Sequence, residues 1–250
     1  MGRGHKDKVA FITGAATGIG QRYAKRLAEE GVDIAVIDIS DTEETVDLIM
    51  RSGRLGRGYI CDVSSHKDIA AMAETALSDF GRCDILINNA GIYPNVDFDD
   101  ISFDDWRRVM ALNLDALFLT AKKFVPGMKE RGWGRIVNVS SSTLATPVTG
   151  YVHYIASKGG VVGFTRALAS DLAAYGITVN AVSPSLVPTT GTQITEPRSE
   201  ERFRMVANMQ AIKKIQEADD VVGTMAFLTS DDSSFVTGQT IYVDGGWVRA

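Results

Sequence analysis

The chain has 250 residues, 45% hydrophobic and 23% charged, too apolar for disorder and long enough to bury a self-supporting core without disulfides or a structural metal. Lys and Arg total 26 against 31 Asp and Glu, a net charge of −5, with the two signs mixed along the chain. No basic stretch is long enough to neutralise a phosphate backbone or an anionic bilayer, which argues against nucleic-acid and membrane partners.

The start, Met1 to Lys8, has no apolar leader, and no later run approaches the ~20 apolar residues of a membrane span, so a cytoplasmic protein is expected. Val9 to Thr13 reads as a buried strand, Gly18 to Glu30 as a helix stopped by Gly31, and Asp33 to Ile37 as a second strand. Tyr59 to Val63 and Asp84 to Asn88 continue as strands three and four, with a helix from about Lys67 to Asp79 between them. Helical periodicity then covers roughly Phe103 to Arg131, followed by a strand at Arg135 to Ser140 and a long helix at Tyr151 to Tyr175. Strands at Ile177 to Val182 and Thr240 to Val243 complete the pattern. Apolar strands alternating with helices predict one α/β domain over residues 1–250. Its seven-stranded parallel sheet is doubly wound, Rossmann-type, with helices on both faces.

Pro184, Pro188, Gly191 and Pro197 break any period before apolar residues return around Phe203 to Met209. A stretch this long after a strand's carboxyl end predicts a substrate lid at about 185–216. Cys61 and Cys83 form no Cys-x-x-Cys and read as reduced core thiols. His5, His66 and His153 stand at no metal-ligand spacing, so no metal site is expected.

Directly after the first strand comes Thr13-Gly14-Ala15-Ala16-Thr17-Gly18-Ile19-Gly20, and a helix starts at its end. Glycines there let backbone N–H groups approach a pyrophosphate, with the positive end of the helix dipole facing it; a plain glycine-rich turn is the alternative. Asp38 closes the second strand, where a carboxylate can accept from adenosine ribose hydroxyls and would repel a 2′-phosphate, unless it is only a solvated strand end. Neither Thr17 nor Ile39 supplies a cation for such a phosphate, which favours NAD over NADP. Of seven tyrosines only Tyr154 has a lysine four residues on, Lys158, one helical turn away on the same face. A phenol titrates near pH 10, so its use as a base at neutral pH requires a neighbouring positive charge. By itself the pair could equally be a surface helix pair.

Taken together, Thr-Gly-x-x-x-Gly-x-Gly at 13–20, Asn88-Asn89-Ala90-Gly91, Asn113, Ser141 and Tyr154-x-x-x-Lys158 resemble the short-chain dehydrogenase/reductase family over nearly the full length. The resemblance implies that Ser141 and Tyr154 hydrogen-bond the substrate oxygen and that Tyr154 is the acid/base. Lys158 then lowers the Tyr154 pKa and holds the nicotinamide ribose, while Asn113 supports a water-linked proton relay. It also implies cofactor contacts from Gly14, Thr17, Gly18, Ile19, Gly20, Asp38, Ile39, Asp62, Val63, Asn89, Ala90, Gly91, Pro184, Val187 and Thr189. Asp62, at the end of strand three, matches the adenine-contacting acid. One departure is Ser185, where the family usually has Gly after Pro184; a position needing φ > 0 would be less accessible to it.

A finer resemblance, within that family, is to (S)-1-phenylethanol dehydrogenase-like secondary alcohol dehydrogenases. It is carried by Phe80-Gly81-Arg82-Cys83-Asp84-Ile85-Leu86, Gly91-Ile92-Tyr93-Pro94, Pro126-Gly127-Met128-Lys129, Gly132-Trp133-Gly134-Arg135-Ile136, His153-Tyr154-Ile155 and Pro184-Ser185-Leu186-Val187. Tyr93, Thr143, Leu144, Tyr151 and Leu186, with Ser141, are the candidate pocket residues, a mainly apolar set suited to a small or aryl ketone, though each could be simple packing. The competing activity is that of a 3-oxoacyl-ACP reductase, for which Arg131 could dock an acidic carrier. Tyr175, however, stands where those reductases carry a basic residue. A catalytically silent dinucleotide sensor is the alternative of another class. The resemblance implies a homotetramer built on the helices at about 103–131 and 151–175 and on Asp244-Gly245-Gly246-Trp247; burial of those helix faces within one chain is the alternative.

Overall fold

The computed structural model describes residues 4–189 and 199–249, the Ser199 side chain excepted. Strands β1 (Val9–Thr13), β2 (Asp33–Asp38), β3 (Gly56–Ile60), β4 (Ile85–Asn88), β5 (Gly134–Val139), β6 (Ile177–Pro184) and β7 (Thr240–Val243) form one sheet in the order β3-β2-β1-β4-β5-β6-β7. Every pairing is parallel, with Thr13 in register with both Ile37 and Asn88, and Asn88 with Asn138. The strand order reverses between β1 and β4, and at such a switch point the connections leave to opposite faces and open a crevice.

The helices are α1 (Gly18–Glu29), α2 (Glu43–Arg51), α3 (His66–Phe80), α4 (Phe103–Met110), α5 (Ala116–Arg131), α6 (Val152–Leu172), α7 (Ser199–Met209) and α8 (Ala218–Leu228). Successive β1 side chains feed two cores. Phe11 joins Met72, Phe124, Ile136 and Val179 on one face; Ile12 joins Tyr23, Leu27, Val137 and Met225 on the other. Burial on both faces explains why β1 reads as an unbroken apolar run, and each such side chain contributes about 1.5–3 kcal/mol.

The structure departs from the sequence reading in four places. Strand three lies at Gly56–Ile60, not Tyr59 to Val63, because β3 is an edge strand with its residues largely exposed, while the apolar Cys61 and Val63 pack into the core just after it. Helix α2 was not expected; Glu43 and Glu44 in its first turn and Arg51 in its last match the helix dipole, a signal weaker than apolar periodicity. Helix α8, also not expected, is anchored through Val221 and Met225 against α1. The helical stretch 103–131 is divided by a π turn, Ala111–Asp115, with Asn113 at its centre. Such turns widen the helix at single sites and recur where a side chain must be re-aimed. Of the stretch expected as a lid, α7 covers Ser199–Met209, and residues 190–198, including Gly191 and Pro197, lie outside the described residues. No helix among the described residues is long and apolar enough to cross a membrane.

Candidate active site

A cavity of about 320 Å³ opens where β1, β4, β5 and β6 end, lined by Gly14, Asn89, Val139 and Pro184 at those termini. Gly14 and Gly18 have φ of +64° and +61°, a region costly for any other residue. A Cβ on Gly20 would stand 2.2 Å from the Gly14 carbonyl oxygen, so Gly20 sets how closely α1 approaches the loop. Asn89 ties the loop down, its amide donating to the Thr13 and Gly14 carbonyl oxygens at 3.0 and 2.8 Å. Thr17 caps α1 without a side-chain hydrogen bond, and the first turn carries no acidic residue. The leading N–H groups of α1 therefore face the cavity beside Gly18 and Ile19, a donor set that fits a dinucleotide pyrophosphate.

At the end of β2 the Asp38 carboxylate accepts from Ala16 N at 2.9 Å and Ser40 N at 3.0 Å, which holds it beside the glycine loop. Ile39 is exposed next to it, and Asp62, also exposed, accepts from Ser64 N and Oγ. Val63 is buried in the core. These residues and Gly20 lie outside the cavity lining, whereas Thr17, Ala90, Gly91, Val187 and Thr189 are in it.

Helix α6 and the end of β5 assemble the polar centre. Ser141 and Tyr154 both line the cavity, and Thr143 donates to Ser141 Oγ from its hydroxyl at 2.9 Å and its N–H at 3.2 Å. Tyr93 and Tyr151 pack edge-on against Tyr154, with ring centres 6.1 and 6.0 Å away. Lys158 is buried one turn along, its Nζ 5.7 Å from the Tyr154 ring centre and donating to the Val139 carbonyl at 2.8 Å. Burial pushes the Tyr154 phenol up to about 12, against the lowering pull of Ser141, and pushes the Lys158 ammonium down to about 8. His153 accepts the Tyr154 N–H at its Nδ1, satisfying a first-turn donor of α6 that the helix itself leaves open.

Asn113 is fully buried and does not line the cavity. Its amide accepts from Ile92 N at 2.9 Å and donates to Ile92 O at 2.8 Å and Ser157 Oγ at 3.1 Å; Ser157 in turn donates to the Tyr154 carbonyl. The π turn thus joins the end of β4 to the first turn of α6.

Of the expected pocket residues, Tyr93, Ser141, Thr143, Tyr151 and Leu186 line the cavity, while Leu144 packs toward Gly159 on α6. Ser185 has no positive φ; its Oγ and N–H instead donate to the buried Gln210 and Gln216 side chains at 2.9 and 2.7 Å, so this position has no need of glycine. Sequence reasoning missed Arg202, Met205 and Met209, which α7 brings to the cavity, and Trp247. Trp247 is placed by Asp244, which is buried and accepts from Gly246 N, Trp247 N, Val248 N and Ser142 Oγ.

With the strand order and this site in place, similarity to known proteins becomes specific. Residues 14–248 match the family model described as Enoyl-(Acyl carrier protein) reductase. The chain belongs to the short-chain NAD(P)-dependent dehydrogenase/reductase family. Over 242 residues this dehydrogenase/reductase is 35% identical to the 3-oxoacyl-(acyl-carrier-protein) reductase FabG of Haemophilus influenzae, covering 96% of this chain and 98% of that one. It superposes on carveol dehydrogenase from Mycobacterium avium, solved in complex with NAD, with a TM-score of 0.91 at 32% identity, covering 99% of both chains. A structure from Beutenbergia cavernae, described as an NAD(P) dependent gluconate 5-dehydrogenase with bound NADP, gives 0.91 at 34% identity, again over 99% of both chains.

Proposed function

We propose that this dehydrogenase/reductase interconverts a secondary alcohol and a ketone, the substrate side being small, hydrophobic or aryl, and that it uses NAD in preference to NADP. The observation that carries the reading is that Ser141 and Tyr154 line one cavity wall together, with the Lys158 ammonium buried one helical turn away. The glycine loop would hold a nicotinamide dinucleotide, which when bound would supply the hydride in one direction and accept it in the other.

In reduction, the Ser141 and Tyr154 hydroxyls both donate to the carbonyl oxygen, and Tyr154 passes its proton to that oxygen as charge develops there. In oxidation, the phenolate takes the proton back from the alcohol. Lys158 would stabilise the phenolate form and help to hold the nicotinamide ribose, while Asn113 holds the π turn that would support a water-linked proton path. Asp38, fixed between Ala16 and Ser40, suits two ribose hydroxyls and repels an added phosphate, which supports the preference for NAD. The stretch from Ser185 to Gln216, through α7, acts as the lid of a single catalytic domain. Buried reduced Cys61 and Cys83 and the acidic net charge suit a cytoplasmic location.

Assay of secondary alcohols, ketones and (S)-1-phenylethanol with both coenzymes tests the reading, by absorbance of the reduced nicotinamide. Turnover should favour NAD(H), and Tyr154→Phe should lower kcat by about a hundredfold or more with little change in coenzyme binding. Coenzyme binding with no turnover of any carbonyl would identify a sensor instead. A 3-oxoacyl-ACP reductase is the second reading, supported by the end-to-end similarity to FabG; turnover confined to carrier-bound ketones would select it. Against carrier docking, the Arg131 guanidinium is already engaged with the Cys83 carbonyl and, at 3.4 Å, with Asp84.

A further inference from the structure

The buried stripe of α7 ends in a polar residue. Phe203, Val206, Ala207 and Gln210 recur at the helical interval and all four are buried, with Gln210 N donating to the Val206 carbonyl oxygen at 3.2 Å as the helix closes. A glutamine thus stands where the pattern calls for an apolar side chain. Burying an amide is costly unless it is hydrogen-bonded, and this one is engaged at both ends. Gln210 Nε2 donates to the Ile212 and Lys214 carbonyl oxygens at 3.1 and 2.8 Å, and Oε1 accepts the Ser185 hydroxyl at 2.9 Å. Ser185 also donates its N–H at 2.7 Å to Oε1 of Gln216, another buried amide, whose Nε2 donates to the Val243 carbonyl of β7. Two buried glutamines therefore converge on the residue that follows β6.

Ser185 lines the cavity at the end of β6, and Met205, Val206 and Met209 line it from α7. One hydroxyl ties these two walls together. A glycine could supply the same N–H to Gln216, so the Oγ–Oε1 hydrogen bond is what the serine side chain adds. We propose that Ser185 and Gln210 are positioning residues, whose hydrogen bond holds α7 at the cavity before the ketone arrives. This inference rests on the alcohol/ketone reading above. Its consequence falls on KM: a wall that must be ordered during binding weakens ketone affinity, whereas Ser141 and Tyr154 stand on other elements.

The test uses the full chain with NADH and acetophenone, and hydrogen exchange of the α7 amides read by mass spectrometry without substrate. Ser185→Ala removes the hydroxyl and keeps the N–H. It should speed exchange across Ser199–Met209 by about tenfold and raise KM by about five- to tenfold, with kcat changed by less than about threefold. NADH affinity, read by fluorescence, should be unchanged, which also reports that the variant is folded. Ser185→Thr should restore the parental KM. Gln210→Met should raise KM too, and adding Ser185→Ala to it should raise KM no further, because both changes act through one bond. Unchanged α7 exchange or unchanged KM in Ser185→Ala overturns this inference alone, as does a loss of NADH affinity in step with KM, which would assign the bond to the coenzyme site. A parent chain that binds NADH and turns over no ketone overturns the alcohol/ketone reading and the KM effect with it.

Discussion

Burying the Lys158 ammonium lowers its pKa from the ordinary 10.5 to about 8, so the folded chain holds this proton less tightly than the unfolded chain does. Below pH 8 the lysine is charged in both states and folding bears the full desolvation cost, about 3 kcal/mol. From pH 8 toward 10.5 the native lysine loses its proton first, and stability rises with pH. The Tyr154 phenol, raised from 10.0 to about 12, acts in the opposite sense: above pH 10 the unfolded phenol ionises first and stability falls. Lys158→Met should therefore be more stable to urea than the parent at pH 7, by about 2 kcal/mol after allowing for the orphaned Val139 carbonyl, and should lack the rise between pH 8 and 10. It should also have lost turnover. A variant less stable than the parent at pH 7 would show that the ammonium supports the fold rather than the chemistry. The Tyr154-x-x-x-Lys158 spacing was readable from the chain; that the lysine is buried and held by Val139 was not.

Two helical glycines make opposite predictions at the scale of the element. A Cβ on Gly20 would meet the Gly14 carbonyl oxygen at 2.2 Å, so α1 must retreat from the loop it caps. Gly20→Ala should weaken NAD binding about tenfold and cost about 1–3 kcal/mol, because overpacking here moves backbone rather than a flexible side chain. Gly223, exposed on α8 with nothing within 4 Å of an added Cβ, should gain about 0.5–1 kcal/mol as alanine, with coenzyme binding unchanged. Calorimetry and coenzyme titration of the two variants check both signs; equal effects would mean that the loop tolerates displacement. The glycine loop and its flanking elements were legible because their signal is local. The π turn around Asn113 was not, since Ala111 to Asp115 carries no composition that separates it from the α-helix on either side.

For the whole molecule, the apolar side chains left on the surface of α4, α5 and α6 set the expected assembly. Phe103, Phe118 and Val152 are 75%, 53% and 43% exposed, and none of the described residues of the chain covers them. We expect a homotetramer with these helices paired between subunits. Sedimentation should give the mass of four chains, and Phe118→Asp should yield smaller species, since an unpaired carboxylate in such an interface costs several kcal/mol. A monomeric parent chain would refute the pairing. By itself the sequence determined the alternation of doubly buried strands with helices, the glycine loop at the first crossover and the tyrosine–lysine spacing, because each is a pattern contained within a few residues. Tertiary structure alone decided which distant residues meet: Ser142 with Asp244, Arg202 with Tyr151, Ser185 with Gln210 and Gln216. It also decided that strand three ends at Ile60, so that Cys61 and Val63 from the end of the expected run lie beyond β3, in the core rather than in the sheet. These contacts bring together residues remote in the chain, and no local periodicity records a partner that folding supplies from elsewhere.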